Sequence, residues 1–219
     1  MTGMARRISI NTLPEVIPIF PLEGALLLPR SKLPLNIFEP RYLAMLDDAL
    51  RSDHRIVGMI QPRADGPNPP VYQIGCAGRV TSFSETDDGR YLIALTGLIR
   101  FRIVEEVEGF VPFRRVRVDW RDFANDLDTP PAEPIGDDRD SFLALLRRYF
   151  EATQLSADWD ALSQADEETL VNAIAMLCPF EPQEKQALLE APSLSERMRD
   201  LRALMEFVVA DPDSVGDIQ

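Results

Sequence analysis

One histidine, two lysines and two cysteines are the scarce reactive side chains among 219 residues, and their settings bound the chemistry this chain can do. His54 stands alone, which removes any two-histidine metal site and most Ser/His or Cys/His schemes. It lies between Asp53 and Arg55 at the end of an expected helix, where it reads as a surface residue able to cap carbonyls. A serine–lysine dyad needs a desolvated amine within hydrogen-bond reach of the hydroxyl. Lys32 follows Ser31 in a proline-flanked segment and Lys185 sits early in an expected helix, so neither setting supplies that. No G-x-x-x-x-G-K-[ST] string is present to cradle phosphates. Asp47, Asp48 and Asp53 cluster without the glycine pattern of a calcium loop and read as a solvated face. Cys76 and Cys178 read as separate, buried, reduced thiols, which suits the cytoplasm. The expectation is a protein that is not an enzyme, with no catalytic residue, no cofactor and no metal.

Charge narrows the partners. The formal net charge is −13, split so that residues 1–121 carry +2 and residues 122–219 carry −15. An acidic second half argues against nucleic acid, whose binding needs clustered cations. Nothing approaches about 18 consecutive apolar residues, so no membrane span is expected. Arg6 and Arg7 are followed by Asn11, Pro14 and Glu15 rather than an apolar run, so no signal peptide is expected.

The elements that position these residues divide in two. Residues 55–61, 71–83 and 90–96 are β-rich, and Asp88-Gly89 between the last two is a hairpin-turn signal. Ile99, Phe101 and Ile103 alternate with Arg100 and Arg102, and Val116, Val118 and Trp120 with Arg115, Arg117 and Asp119, giving two strands with one wet face each. A single helix over 41–51 carries an apolar stripe of Leu43, Leu46 and Leu50. Residues 122–140 hold three prolines and seven acids against one arginine and are expected to be a linker. Beyond it the pattern is helical. Phe142, Leu145, Leu146, Tyr149 and Phe150 form one stripe; Leu170, Val171, Ile174, Leu177 and Cys178 form another. A shorter helix runs over 182–190, and Ser193-Leu-Ser-Glu196 is a capping box opening a last helix with Met198, Leu201, Met205 and Val208. The domain division expected is therefore 1–121 β-rich, 122–140 linker, 141–210 helical and 211–219 a frayed tail.

The segment 16–42, VIPIFPLEGALLLPRSKLPLNIFEPRY, is the most specific in the chain. Its prolines confine each apolar run to a short strand, and Pro40 reads as the first residue of a helix. Pro18, Phe20, Pro21, Leu22, Pro29, Leu33, Pro34, Leu35, Ile37, Phe38, Glu39, Pro40, Arg41 and Tyr42 resemble the hallmark of the Lon protease N-terminal, substrate-binding domain family, and particularly its stand-alone bacterial members without ATPase and peptidase domains. Gly97-Leu-Ile-Arg-Phe-Arg102 resembles a second family strand, and residues 184–190 with Arg197 resemble its C-terminal helical region. Leu28 and Arg30 depart from the pattern, the second standing where the family has glycine. The fold the resemblance implies is α+β: a twisted, partly closed β-domain with one packed helix, then a helical bundle.

The function it implies is recognition of unfolded or tagged polypeptide without catalysis. Docking of a folded protein, and an orphan hydrolase, stand as alternatives. Two surfaces are candidates for peptide. A proline-interrupted edge strand at Pro34 and Leu35, with Phe38 beside it, leaves backbone groups that an extended chain can pair with. The arginines 100, 102, 114, 115 and 117 form a basic face on which Arg115 and Arg117 share one side; it either meets the acidic helices or binds acidic polypeptide. Glu39, Pro40, Arg41, Tyr42, Arg100 and Phe101 read as architecture, with Glu39 at the helix start and able to pair with Arg100.

Overall fold

The computed structural model describes residues 8–128 and 139–210 and divides into two compact units, Met1–Pro130 and Pro131–Gln219. The middle of the expected linker and the expected frayed tail lie outside the described residues.

The first unit is a small barrel with an appended strand. Its strands are β1 (Val16–Pro21), β2 (Lys32–Ile37), β3 (Ile56–Ile60), β4 (Ile74–Glu85), β5 (Tyr91–Glu106) and β6 (Arg115–Asp119), with helix α1 (Pro40–Arg51) between β2 and β3. β1 pairs with β3 in parallel, the other ladders are antiparallel, and β6 joins both β1 and β5. The ring β1–β3–β4–β5–β6 thus closes, while β2 lies outside it on the first part of β5. The two runs read as separate strands at 90–96 and 99–103 are one strand, β5. It pairs with β2 over Tyr91–Thr96 and with β6 from Arg102 to Glu106. Register shifts at Ala77/Gly78, Val80/Ser82 and Ile103/Glu105 supply the bends that closure needs.

Proline placement explains β1. Val16–Pro18 pair with β6 and Ile19–Pro21 with β3, Ile19 alone also reaching the β6 side through its N–H to the Arg114 carbonyl, so Pro18 and Pro21 each lie where one side is partnered and tolerate their missing donors. The barrel interior is filled by Phe101, fully buried, whose ring occupies the space that a side chain on Gly58 or Gly75 would take. Trp120 meets Phe101 edge-on at 6.1 Å and donates its indole N–H to the Pro14 carbonyl.

Three expectations change here. The acid-rich stretch begins as a 3-10 helix, Arg121–Leu127, packed on the barrel rather than as linker. Its Asp126, 8% exposed, accepts from Nε, Nη2 and the backbone N–H of Arg100 at 2.9–3.0 Å, so Arg100 is buried instead of lying on a wet face. Phe123 of the same turn stacks under the Arg100 guanidinium. Arg30, where the resemblance implies glycine, adopts φ +66. The cost of that left-handed backbone is offset by an N–H bond to the Gly97 carbonyl at 2.8 Å and a guanidinium bond to the Asp126 carbonyl. Finally, α1 buries Tyr42, Met45, Leu46 and Ala49, leaving Leu43 and Leu50 half-exposed, because aromatic and methionine side chains displaced the leucine stripe by one position.

The second unit is helical: α2 (Arg139–Ala152), α3 (Trp159–Gln164), α4 (Glu167–Leu177), α5 (Pro182–Glu190) and α6 (Leu194–Ala210). α6 packs on α2, α4 and α5. The stripe of α2 is buried as expected, but Leu177 at the end of α4 is 79% exposed, the helix breaking at Cys178 before its turn reaches the core. α3 was not expected; Asp158 caps it by accepting from the Ala161 N–H at 3.0 Å. Buried Arg197 donates to the Leu188 carbonyl and to Asn172 Oδ1, tying α6 to α5 and α4. Cys76 and Cys178 are both buried free thiols.

Candidate functional site

The hallmark residues converge at one end of the barrel. Pro40 opens α1, and Glu39 precedes it as the capping residue without a side-chain cap bond. The Glu39 carboxylate turns instead to Arg41, with Nε at 3.0 Å and Nη2 at 2.9 Å from Oε2. The expected Glu39–Arg100 pair is therefore absent, Arg100 being held by Asp126. Arg41 stacks on Tyr42 with Cζ 4.5 Å from the ring centroid, and Tyr42 packs on Phe20 at 4.2 Å. Burial pushes the Tyr42 hydroxyl above its ordinary range, partly opposed by Arg41.

Two arginines then strap the proline-rich loop 61–70 over this end. Arg41 Nη1 donates to the Pro67 carbonyl at 3.0 Å, and Arg114 Nη1 to the Pro69 carbonyl at 2.7 Å. Arg114 is itself fixed by a two-pronged pair with Glu106 at 2.7 and 2.9 Å, which holds the Glu106 carboxyl below its ordinary range. The loop's base is closed by the Pro62–Val71 bridge and the Arg63 N–H to Pro70 carbonyl bond. Proline carbonyls suit this use: a proline-rich segment has few donors for a ladder, but its acceptors remain free for guanidinium groups.

Between strap, helix start and the 111–114 loop lies a half-open cleft of about 420 Å³. Ile19, Pro21, Tyr42, Pro67, Val111 and Phe113 supply its apolar lining, and Glu23 and Asp65 its exposed carboxylates. Phe110, next in sequence to the lining residue Val111, is fully exposed. Such a concave surface, its lining shared about equally between apolar and polar groups, has room for a side chain and flanking backbone of another polypeptide.

Of the residues anticipated as peptide contacts, Pro34 and Leu35 lie on β2, which is bonded on one side only among the described residues, and Phe38 just after it is 63% exposed. Arg115 and Arg117 lie on β6 and are not brought to β2, the two strands using different stretches of β5. Nor is their face a bare basic patch. Arg117 pairs with Glu105 and Glu15, Arg114 with Glu106, Arg102 with Asp122 and Arg100 with Asp126, all acids of the same unit rather than of the acidic helices. Among the described residues Arg115 Nε is buried without a hydrogen-bond partner. The cleft itself was missed. The sequence marks Arg41 and Tyr42 as architecture and 62–69 only as a loop, since nothing in its spacing says which arginines reach its carbonyls.

For catalysis, Ser31 and Lys32 belong to the barrel unit, whereas Lys185 is buried in the helical one. The carbonyl-capping role expected of His54 falls to Ser52, whose hydroxyl donates to the Ala49 carbonyl at 2.7 Å. Among the described residues no group of three His, Cys, Asp or Glu could hold a metal, and no helix is long and apolar enough to cross a membrane.

The chain thus combines a closed barrel bearing an appended edge strand and a strapped cleft with a helical unit that follows in sequence. The family model of the ATP-dependent protease La (LON) substrate-binding domain matches residues 16–206, and the chain belongs to that family. It is 29% identical over 209 residues to Lon protease 2 of Myxococcus xanthus and 26% identical over 202 residues to Lon protease of Anaeromyxobacter dehalogenans. Those alignments cover 90% and 88% of this chain, but only 24% and 23% of the relatives, so the chain spans about a quarter of their length. Two solved structures share the fold. The Lon N-terminal domain protein from Xanthomonas campestris has a TM-score of 0.62 at 23% identity, covering 86% of this chain and 97% of that one. The N-terminal domain of Mycobacterium avium complex Lon protease has a TM-score of 0.62 at 17% identity, covering 87% and 98%.

Proposed function

We propose that this protein is a non-catalytic polypeptide-binding module that receives an extended segment of an unfolded protein in the cleft above α1. The observation that carries the reading is the convergence of the hallmark Arg41 and Tyr42 on a cleft, partly apolar, that the same arginine helps to strap. Membership of the substrate-binding domain family supports it, and the two buried free thiols suit work in the cytoplasm. Apolar lining offers contact energy to any client side chain, and the loop carbonyls and carboxylates orient the backbone.

The test is fluorescence anisotropy with labelled peptides from an unfolded protein such as reduced casein. Ala64, exposed on the cleft wall, tolerates bulk without disturbing the core, so Ala64→Trp should obstruct the cleft and weaken binding at least about tenfold. Unchanged affinity in that variant, with binding abolished by Phe38→Ser, would move the client to the edge strand. That second reading is favoured by the one-sided pairing of β2, where Pro34, Leu35 and Phe38 would contact the client. Capture of folded proteins but no unfolded peptide would make the module an adaptor instead.

A further inference from the structure

The cleft carries four charged side chains, and only two of them are neutralised. The arginines are spent: Arg41 on Glu39 and the Pro67 carbonyl, Arg114 on Glu106 and the Pro69 carbonyl. Glu23 and Asp65 are exposed and have no ion-pair or hydrogen-bond partner among the described residues. Their positions are fixed by the backbone. Glu23 precedes Gly24, whose φ of +69 turns the chain after β1, and Asp65 precedes Gly66, at φ +130, in the strapped loop. Arg63 in that loop is not in the lining, its guanidinium lying over Tyr72. The cleft therefore presents apolar side chains among polar groups and an uncompensated charge of −2 at its margin, despite containing two arginines.

We propose that the cleft selects, among extended peptides, those with an apolar or aromatic residue flanked by lysine or arginine, Glu23 and Asp65 receiving the flanking cation. The inference rests on the reading that the cleft binds peptide. An apolar side chain enters between Tyr42, Pro67 and Phe113, and a basic neighbour one or two positions away reaches the margin. An acidic neighbour meets two like charges there and is rejected. Exposed ion pairs are individually weak and screened by salt, so two of them amount to about a five- to tenfold preference at low ionic strength, fading at high salt.

The experiment compares three labelled peptides with one aromatic-centred core and lysine, alanine or glutamate flanks, titrated into the full chain at low and high salt. The expected order is lysine, then alanine, then glutamate, spread about tenfold at low salt. Glu23→Gln/Asp65→Asn should collapse that spread to less than about twofold. The paired control Asp48→Asn/Asp87→Asn, an equal charge change at exposed residues outside the lining, should preserve it. A control that collapses the spread equally would assign the preference to net charge and overturn the inference. Equal binding of all three peptides, blocked by Ala64→Trp, would overturn the inference and leave the cleft as the peptide site. Binding of none would remove both.

Discussion

Replacing Asp126 by alanine probes whether the turn after β6 is part of the barrel. The carboxylate takes three bonds from Arg100, at 2.9, 2.9 and 3.0 Å, inside a site where both side chains are under a tenth exposed. Its loss takes the carboxylate away from a buried guanidinium and a backbone N–H together. Breaking a buried ion pair from one side costs about 3–5 kcal/mol. Phe123 still covers the guanidinium and Arg30 still bonds the Asp126 carbonyl, so the lower end, about 3 kcal/mol, is expected. For a unit of this size that corresponds to a fall of about 10 °C in Tm. Urea unfolding followed by tryptophan fluorescence is the assay, because buried Trp120 sits directly before the turn and reports the barrel. Asp126→Asn keeps the shape and part of the bonding and should cost about half as much. A loss below about 1 kcal/mol in Asp126→Ala would refute the docking of this turn and restore a linker beginning at Asp122.

Other perturbations separate architecture from recognition. Glu39→Ala should cost no more than about 1 kcal/mol in a thermal melt, since its pair with Arg41 is half-exposed and it makes no cap bond. Gly75→Ala should cost about 3 kcal/mol or more by urea titration, because the added carbon would lie 2.5 Å from the Met59 carbonyl oxygen and from the Phe101 ring. Arg41→Gln/Arg114→Gln should release the strap, read as a several-fold faster tryptic cut after Arg63 with little change in global stability. In the helical unit, bonds from Thr169 lower the Asp166 carboxyl below its unfolded value of 3.8. Its capping contribution is therefore full above that value and is lost as pH falls through the lower folded value; acid titration of Asp166→Ala should lack this component.

Much of the fold was legible because it rests on local rules. Prolines 18, 21 and 34 confined the strands, Asp88-Gly89 marked the β4–β5 turn with Gly89 at φ +77, and the five-residue stripe of α2 fixed its buried face. What stayed hidden depends on contacts between distant segments. Arg100 looked solvated because alternation cannot show that Asp126, 26 residues away, covers it. The acid-rich stretch looked like linker because composition does not reveal which single aspartate is buried. Arg30 departs from the resembled pattern, and the bonds that offset its backbone come from Gly97 and Asp126, which spacing does not reveal. The cleft escaped for the same reason: its walls come from β1, α1 and two loops that only barrel closure brings together.

Backbone amide chemical-shift mapping with an unfolded, aromatic-containing peptide tests the central claim most directly. Shifts should concentrate at Tyr42, residues 62–69 and residues 111–114, and titrate together with one affinity. Saturating shifts confined to β2 or to the helical unit, with the cleft residues unmoved, would contradict it.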